Sequence, residues 1–169
     1  MAEYLSEHFT LEEMTYSDTA KAKGIKNIPT DVHKNTLKHT CQYLLEPLRT
    51  LLAGSFGTKV YVYINSGYRG ADLNKAVGGV KTSQHCTGEA VDIRCYKVVG
   101  KVQTLIQPIE IYNLVKTYVK AGTLSVDQCI YEVSGSSIWV HLSHSAWGKT
   151  KDRKQFLKYT NGTYTNDTL

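Results

Sequence analysis

Ser66-Gly67-Tyr68-Arg69, then Asn74, Gly78-Gly79, Ser83-Gln84-His85 and Gly88-Glu89-Ala90-Val91-Asp92: the reading of this stretch decides the fold. It holds no hydrophobic repeat. Glycines and small residues are punctuated by a few groups able to do chemistry. His85 and Asp92 lie either side of a turn signal, Thr87-Gly88, and Asp92 stands on an apolar run, Ala90 to Cys95, that reads as a strand. A strand there carries the carboxylate back beneath the imidazole. One His and one Asp make half a metal site. A third ligand is offered by His141, inside the second strand-like run Ile138-Trp139-Val140-His141-Leu142-Ser143.

Two neutral imidazoles and a carboxylate, with a fourth position left open, suit catalytic zinc. The same set describes the facial triad of non-haem iron oxygenases, but those place the first His and the acid much closer together. Zinc is the preferred reading. Either histidine alone would read as an ordinary polar residue at a strand end, and only the combination points to a metal.

At these residues a resemblance enters. Ser66-Gly67-Tyr68-Arg69, Asn74, Gly78-Gly79, Ser83, His85, Gly88, Asp92 and Trp139-Val140-His141 resemble the zinc D-Ala-D-Ala carboxypeptidase and L,D-endopeptidase family, whose fold is shared with the hedgehog signalling domain. The likeness extends to Phe9-Thr10-Leu11-Glu12-Glu13-Met14, to Asp18-Thr19-Ala20 with Gly24-Ile25, and to Leu45-Glu46-Pro47-Leu48-Arg49, and is strongest towards short phage and prophage members. It implies a zinc-dependent peptidase that cuts amide bonds in peptidoglycan stem peptides with a zinc-activated water as nucleophile, in the manner of a phage endolysin. A different class, a zinc-holding binding module without catalysis, is the alternative that the hedgehog relatives illustrate.

Composition agrees and adds limits. The 169 residues are enough for one domain, 1–169, with a single core. A hydrophobic share of 41% and a charged share of 21% are those of a globular chain, with no membrane-length apolar run. Met1 to His8 has no apolar signal region, so the expectation is synthesis in the cytoplasm and action at the wall or periplasm. Cys41, Cys86, Cys95 and Cys129 show no knuckle spacing and read as reduced, packed residues. Net charge of +5 suits an anionic partner such as cell wall. The basic run Lys149, Lys151, Arg153, Lys154 and Lys158 reads as a solvated face, with no nucleic-acid motif, no membrane insertion and a monomer expected.

Along the chain, Thr10 and Glu13 form a capping box for a helix starting at Leu11, with Phe9 and Met14 as its staple. Ser17 to Pro29 reads as a surface connection with room for a helical turn. Leu37, Cys41, Leu44, Leu45, Leu48 and Leu52 make the stripe of an amphipathic helix over residues 31–53, kinked at Pro47 and closed by Gly54 and Gly57. Val60, Val62 and Ile64 alternate as a strand. Residues 71–84 read as mostly loop. Pro108 opens a helix with Ile111, Leu114, Val115 and Tyr118 inward and Gly122 as its stop. Cys129 to Val133 and Ile138 to Ser143 form a hairpin about Ser134-Gly135-Ser136-Ser137. The tail turns at Asn161-Gly162 and is expected to fray. The expectation is an α+β fold, a small, largely antiparallel sheet with helices packed on it.

Roles follow for the remaining site residues. The resemblance makes Glu132 the proton carrier, with the Ser134–Ser137 segment either absorbing extra length as a longer hairpin loop or displacing Glu132. Glu89 is the weaker alternative, because period-two alternation puts it opposite Asp92. Arg69 can bind a carboxylate bidentately or steady the oxyanion. Ser83 is expected to contact substrate, on the same side of an extended segment as His85. Tyr68 and Trp139 are read as cleft walls or core. Asn74 is read as a loop organiser, and His8, His33, His39 and His144 as surface residues.

Overall fold

The computed structural model describes residues 1–148 and 150–169, so Lys149 of the basic run lies outside the described residues. Helix α1, Leu11–Thr15, opens on the expected capping box. Thr10 Oγ1 accepts from the Glu13 amide, and the Glu13 carboxylate accepts from the Thr10 amide at 2.9 Å. Phe9 and Met14 are both buried. Helix α2, Asp18–Lys23, capped by Ser17, fills part of the connection to Pro29.

The long amphipathic stripe behaves as its periodicity dictates: Leu37, Cys41, Leu44, Leu45, Leu48 and Leu52 are all fully buried. The interruption falls differently. α3, Asp31–Thr40, passes into a π turn at Cys41–Leu45, where the Glu46 amide reaches back to Cys41 O, and α4, Glu46–Phe56, begins with Pro47 in its first turn. Proline in a helix interior removes a donor and strikes the carbonyl four residues back. The extra residue in the π turn re-phases the chain just before it. Gly57, at φ 62°, ends α4, whereas Gly54 lies inside the helix.

Among the described residues, seven strands form one sheet: β1 Val60–Ser66, β2 Ala90–Val99, β3 Val102–Ile106, β4 Gln128–Ser134, β5 Ser137–Ser143, β6 Gln155–Thr160 and β7 Thr163–Asp167. Their order is β1-β2-β5-β4-β6-β7, with β3 pairing β2 as well. Every pair is antiparallel except β4 with β6. This is the α+β class that the sequence predicts.

Several expectations need correction. Residues 71–84 include a helix, α5, Ala71–Ala76, which buries Leu73 and Asn74. β2 runs on to Val99 and turns into β3, a strand so exposed that its residues carry no alternation to read. The β4–β5 connection is a tight turn rather than a long loop. Ser134 pairs with Ser137, and Gly135 takes φ 57° between them. The tail does not fray before Asp167, because β7 pairs with β6 and the Asp167 carboxylate accepts from Tyr112 Oη at 2.9 Å.

The two faces of the sheet have opposite characters. Val62, Ile93, Cys95, Cys129, Val140, Leu142 and Phe156 point into a core shared with α3, α4 and α6, Pro108–Lys120. The neighbouring positions on the same strands, Asp92, His141 and Glu132 among them, line a cleft of about 830 Å³.

Candidate metal centre

The glycine-rich stretch is held against α1. The Tyr68 amide donates to Met14 O at 2.7 Å, and a Cβ on Gly67 would lie 2.3 Å from that same oxygen, so only glycine fits. From there Gly67 O accepts from His85 Nδ1 at 2.8 Å, and the Arg69 amide donates to His85 O at 3.1 Å. Asn27, which the sequence reading passed over, fastens the other side. Its Nδ2 donates to Thr15 O and Tyr68 O, and its Oδ1 accepts from the Gly70 amide, each at 2.8 Å. Gly78 takes φ 75°, and Gly79 packs against Asn74, whose Nδ2 donates to Val80 O. Asn74 is a loop organiser, as predicted.

His85 stands on a short 3-10 helix, Gln84–Thr87, ended by Gly88 at φ 84°. Asp92 and His141 face each other directly across the β2–β5 pair. The sheet thus brings two ligands together by register, and the 3-10 helix brings the third. Asp92 Oδ1 lies 2.9 Å from His141 Nδ1 and 3.4 Å from His85 Nε2, and the two ring nitrogens are 3.3 Å apart. A tetrahedral ion bonded at about 2.0–2.2 Å has ligand edges of about 3.3–3.6 Å. Two of the separations have that length, and the His141–Asp92 edge has that of a hydrogen bond. With Gly67 O holding the Nδ1 proton of His85, its Nε2 lone pair is free for a metal, as second-sphere carbonyls arrange in zinc sites. The donor set fits zinc.

Burial opposes ionisation of Asp92, but His85 and His141 outweigh it and hold the carboxyl well below its ordinary range. Arg69 is tied into the same group. Its Nη2 donates to Asp92 Oδ2 at 2.8 Å and its Nε to Ser66 Oγ at 2.9 Å. Glu132 shares the cleft face. It pairs with Trp139 as Ile130 pairs with His141, so Glu132, Trp139 and His141 all project to one side. Desolvation first, and the charge of Asp92 second, push the Glu132 carboxyl up to about 7, against the pull of His141 and Arg69.

Other predicted residues sit differently. Ser83 is not on an extended segment with His85; its Oγ caps the 3-10 helix by accepting from the His85 amide at 3.3 Å, while still lining the cleft. Tyr68 belongs to the core and reaches His33 Nδ1 at 3.2 Å, and it does not line the cleft. Trp139 does line it. Glu89 spends its carboxylate on the Ala146 amide and Thr87 Oγ1, outside the cleft lining. His144 is buried rather than at the surface, its Nε2 2.8 Å from Thr40 Oγ1 and its ring stacked on His39. The cysteines are unpaired, with Cys41, Cys95 and Cys129 buried. The cleft also takes in Tyr159 and Tyr164, which the sequence reading missed although both flank the recognised Asn161-Gly162 turn.

No curated protein and no solved structure gives a significant match. A family model described as Peptidase M15 matches residues 7–124, taking in Arg69, His85 and Asp92 and ending before Glu132 and His141. Because that match spans well over half of the sequence, the chain belongs to the M15 peptidases, a family of zinc-dependent metallopeptidases.

Proposed function

We propose that this chain hydrolyses amide bonds in peptidoglycan stem peptides, as a wall hydrolase of the phage-lysin kind. The observation that carries the reading is the position of Glu132, on the same sheet face as His141 and in the same cleft as the three-ligand set. A zinc-holding module without catalysis has no need of a carboxyl there. The substrate class rests on the Ser66–Arg69 and Trp139–His141 motifs, and a net charge of +5 agrees with an anionic polymer.

His85, Asp92 and His141 would hold the ion. When bound, zinc activates water and polarises the scissile carbonyl. The chain's own groups supply the rest. Gly67 O keeps His85 in the ligating tautomer, and Arg69 orients Asp92 through its second oxygen. Glu132, whose carboxyl is pushed up to about 7 by burial before any ion binds, is suited to accept a proton at its carboxylate and to return it to the leaving amine. Trp139, Tyr159 and Tyr164 wall the cleft around it. The test is digestion of purified peptidoglycan by the zinc-loaded chain, with the products separated and sequenced. New amino termini or released D-alanine are expected, and an unchanged digest removes the proposal.

A further inference from the structure

Two arginines line the cleft among the described residues, and they are not equivalent. Arg69 has its charge committed to Asp92, a candidate metal ligand, and its side chain is only 17% exposed. Arg153, which the sequence places in a solvated basic run, is built differently. Asp127 lies buried beneath it and accepts from the Arg153 amide at 3.0 Å, from Nε at 2.9 Å and from Nη2 at 2.6 Å. Gln84 Nε2 donates to the same carboxylate at 3.1 Å, linking it to the 3-10 helix that carries His85. The loop is clamped on its far side too, with Lys154 at φ 54° and its amide on Val126 O.

A buried carboxylate thus gathers four donors to fix one guanidinium. The Arg153 side chain nevertheless remains 56% exposed and lines the cleft. One edge of the fork is spent on Asp127. The other edge, both Nη1 hydrogens and the outer Nη2 hydrogen, has no partner among the described residues. Parallel N–H donors in a rigid plane match a carboxylate.

We propose that Arg153, fixed by Asp127, is the specificity residue of the cleft. It takes the free α-carboxylate of the substrate residue that carries the leaving amine. The inference rests on the peptidoglycan reading above and narrows it. Stem peptides offer that chemistry twice. A terminal D-alanine bears its free α-carboxylate on the same carbon as the scissile nitrogen. So does a D-glutamate joined to the next residue through its side chain. One subsite therefore serves either bond, and the chemistry on both is the same.

The experiment uses four synthetic peptides and the zinc-loaded chain. Two are a stem pentapeptide ending in D-Ala-D-Ala and its C-terminal amide. The others are L-Ala-γ-D-Glu-L-Lys and its D-isoglutamine counterpart, in which that α-carboxylate is an amide. For the wild type, amidation should lower kcat/KM about 10- to 100-fold on whichever pair is cut, mainly through KM. Arg153→Gln should give the same loss on the free acid and no further loss on the amide, since both changes delete one charge pair. Arg153→Lys should fall between, keeping the charge without the fork. The same ranking should appear in peptide affinity, measured by calorimetry on the zinc-loaded Glu132→Gln chain. Wild-type indifference to amidation overturns the inference without any substitution, as does an equal loss in Arg153→Gln on acid and amide. If the wild type cuts none of the peptides and leaves whole peptidoglycan intact, the proposed function falls and this inference with it. If it cuts them without distinguishing acid from amide, the inference alone falls.

Discussion

Asp92 faces two cationic demands at once, one from the candidate metal through Oδ1 and one from Arg69 through Oδ2. Arg69, read in the sequence as binding a carboxylate or steadying the oxyanion, is tied to Asp92 and so also positions a candidate ligand. Arg69→Gln is expected to weaken zinc affinity about 10- to 100-fold, measured by competition with a chelator, alongside its loss of activity. His141→Ala should remove most of the zinc from a chain that otherwise holds about one ion. Glu132→Gln should separate the roles: full zinc content, but turnover down about a hundred- to ten-thousand-fold. The wild-type acid limb of kcat/KM should lie at or below pH 7, because the carboxyl is pushed up to about 7 without an ion and a nearby cation draws it down. A limb above pH 8, or a Glu132→Gln chain with undiminished turnover, would remove Glu132 from the chemistry.

Among the elements, the contact between α1 and the end of β1 decides whether a site forms. Met14 O receives the Tyr68 amide, and Gly67 lies too close to that carbonyl for any side chain. Gly67→Ala should cost about 1–3 kcal/mol of stability through backbone displacement. Because Gly67 O also holds His85 Nδ1, the same change should lower zinc occupancy. Denaturant midpoints with zinc titrations check both, and a variant that unfolds earlier yet binds zinc normally would uncouple them. The capping box, the leucine stripe and the Asn161-Gly162 turn were legible because each is a local pattern. α5, β3 and the π turn were not. α5 and β3 carry little apolar periodicity, and the π turn is a response of the whole helix to Pro47.

Across the whole molecule, one sheet divides its work by face, with core beneath and cleft above, and buried histidine adds a pH dependence. Burial first, then the charge of His39, bring the His144 pKa down to about 4, against Asp152, Glu89 and Asp127. Unfolded, the same group titrates near 6.5. Between those values the unfolded chain binds the extra proton, so stability should fall as pH drops from about 6.5 to 4, by on the order of 3 kcal/mol. Glu132 acts in the opposite sense, since its raised pKa favours the folded chain as pH falls from about 7. Comparing thermal unfolding of the wild type with His144→Gln isolates the histidine, whose removal should flatten the acid decline. The sequence alone determined the fold class, the leucine stripe and the residue types of a candidate metal site, because composition, periodicity and a ligand set are properties of residues and their spacing. Only the tertiary structure decided which charges meet. Asp92 opposes His141 through strand register, His85 arrives on a 3-10 helix, Arg69 turns to Asp92, and Arg153 is aimed by a carboxylate buried far from it in sequence. Such pairings depend on sheet register and burial between distant segments, and no window along the chain contains them.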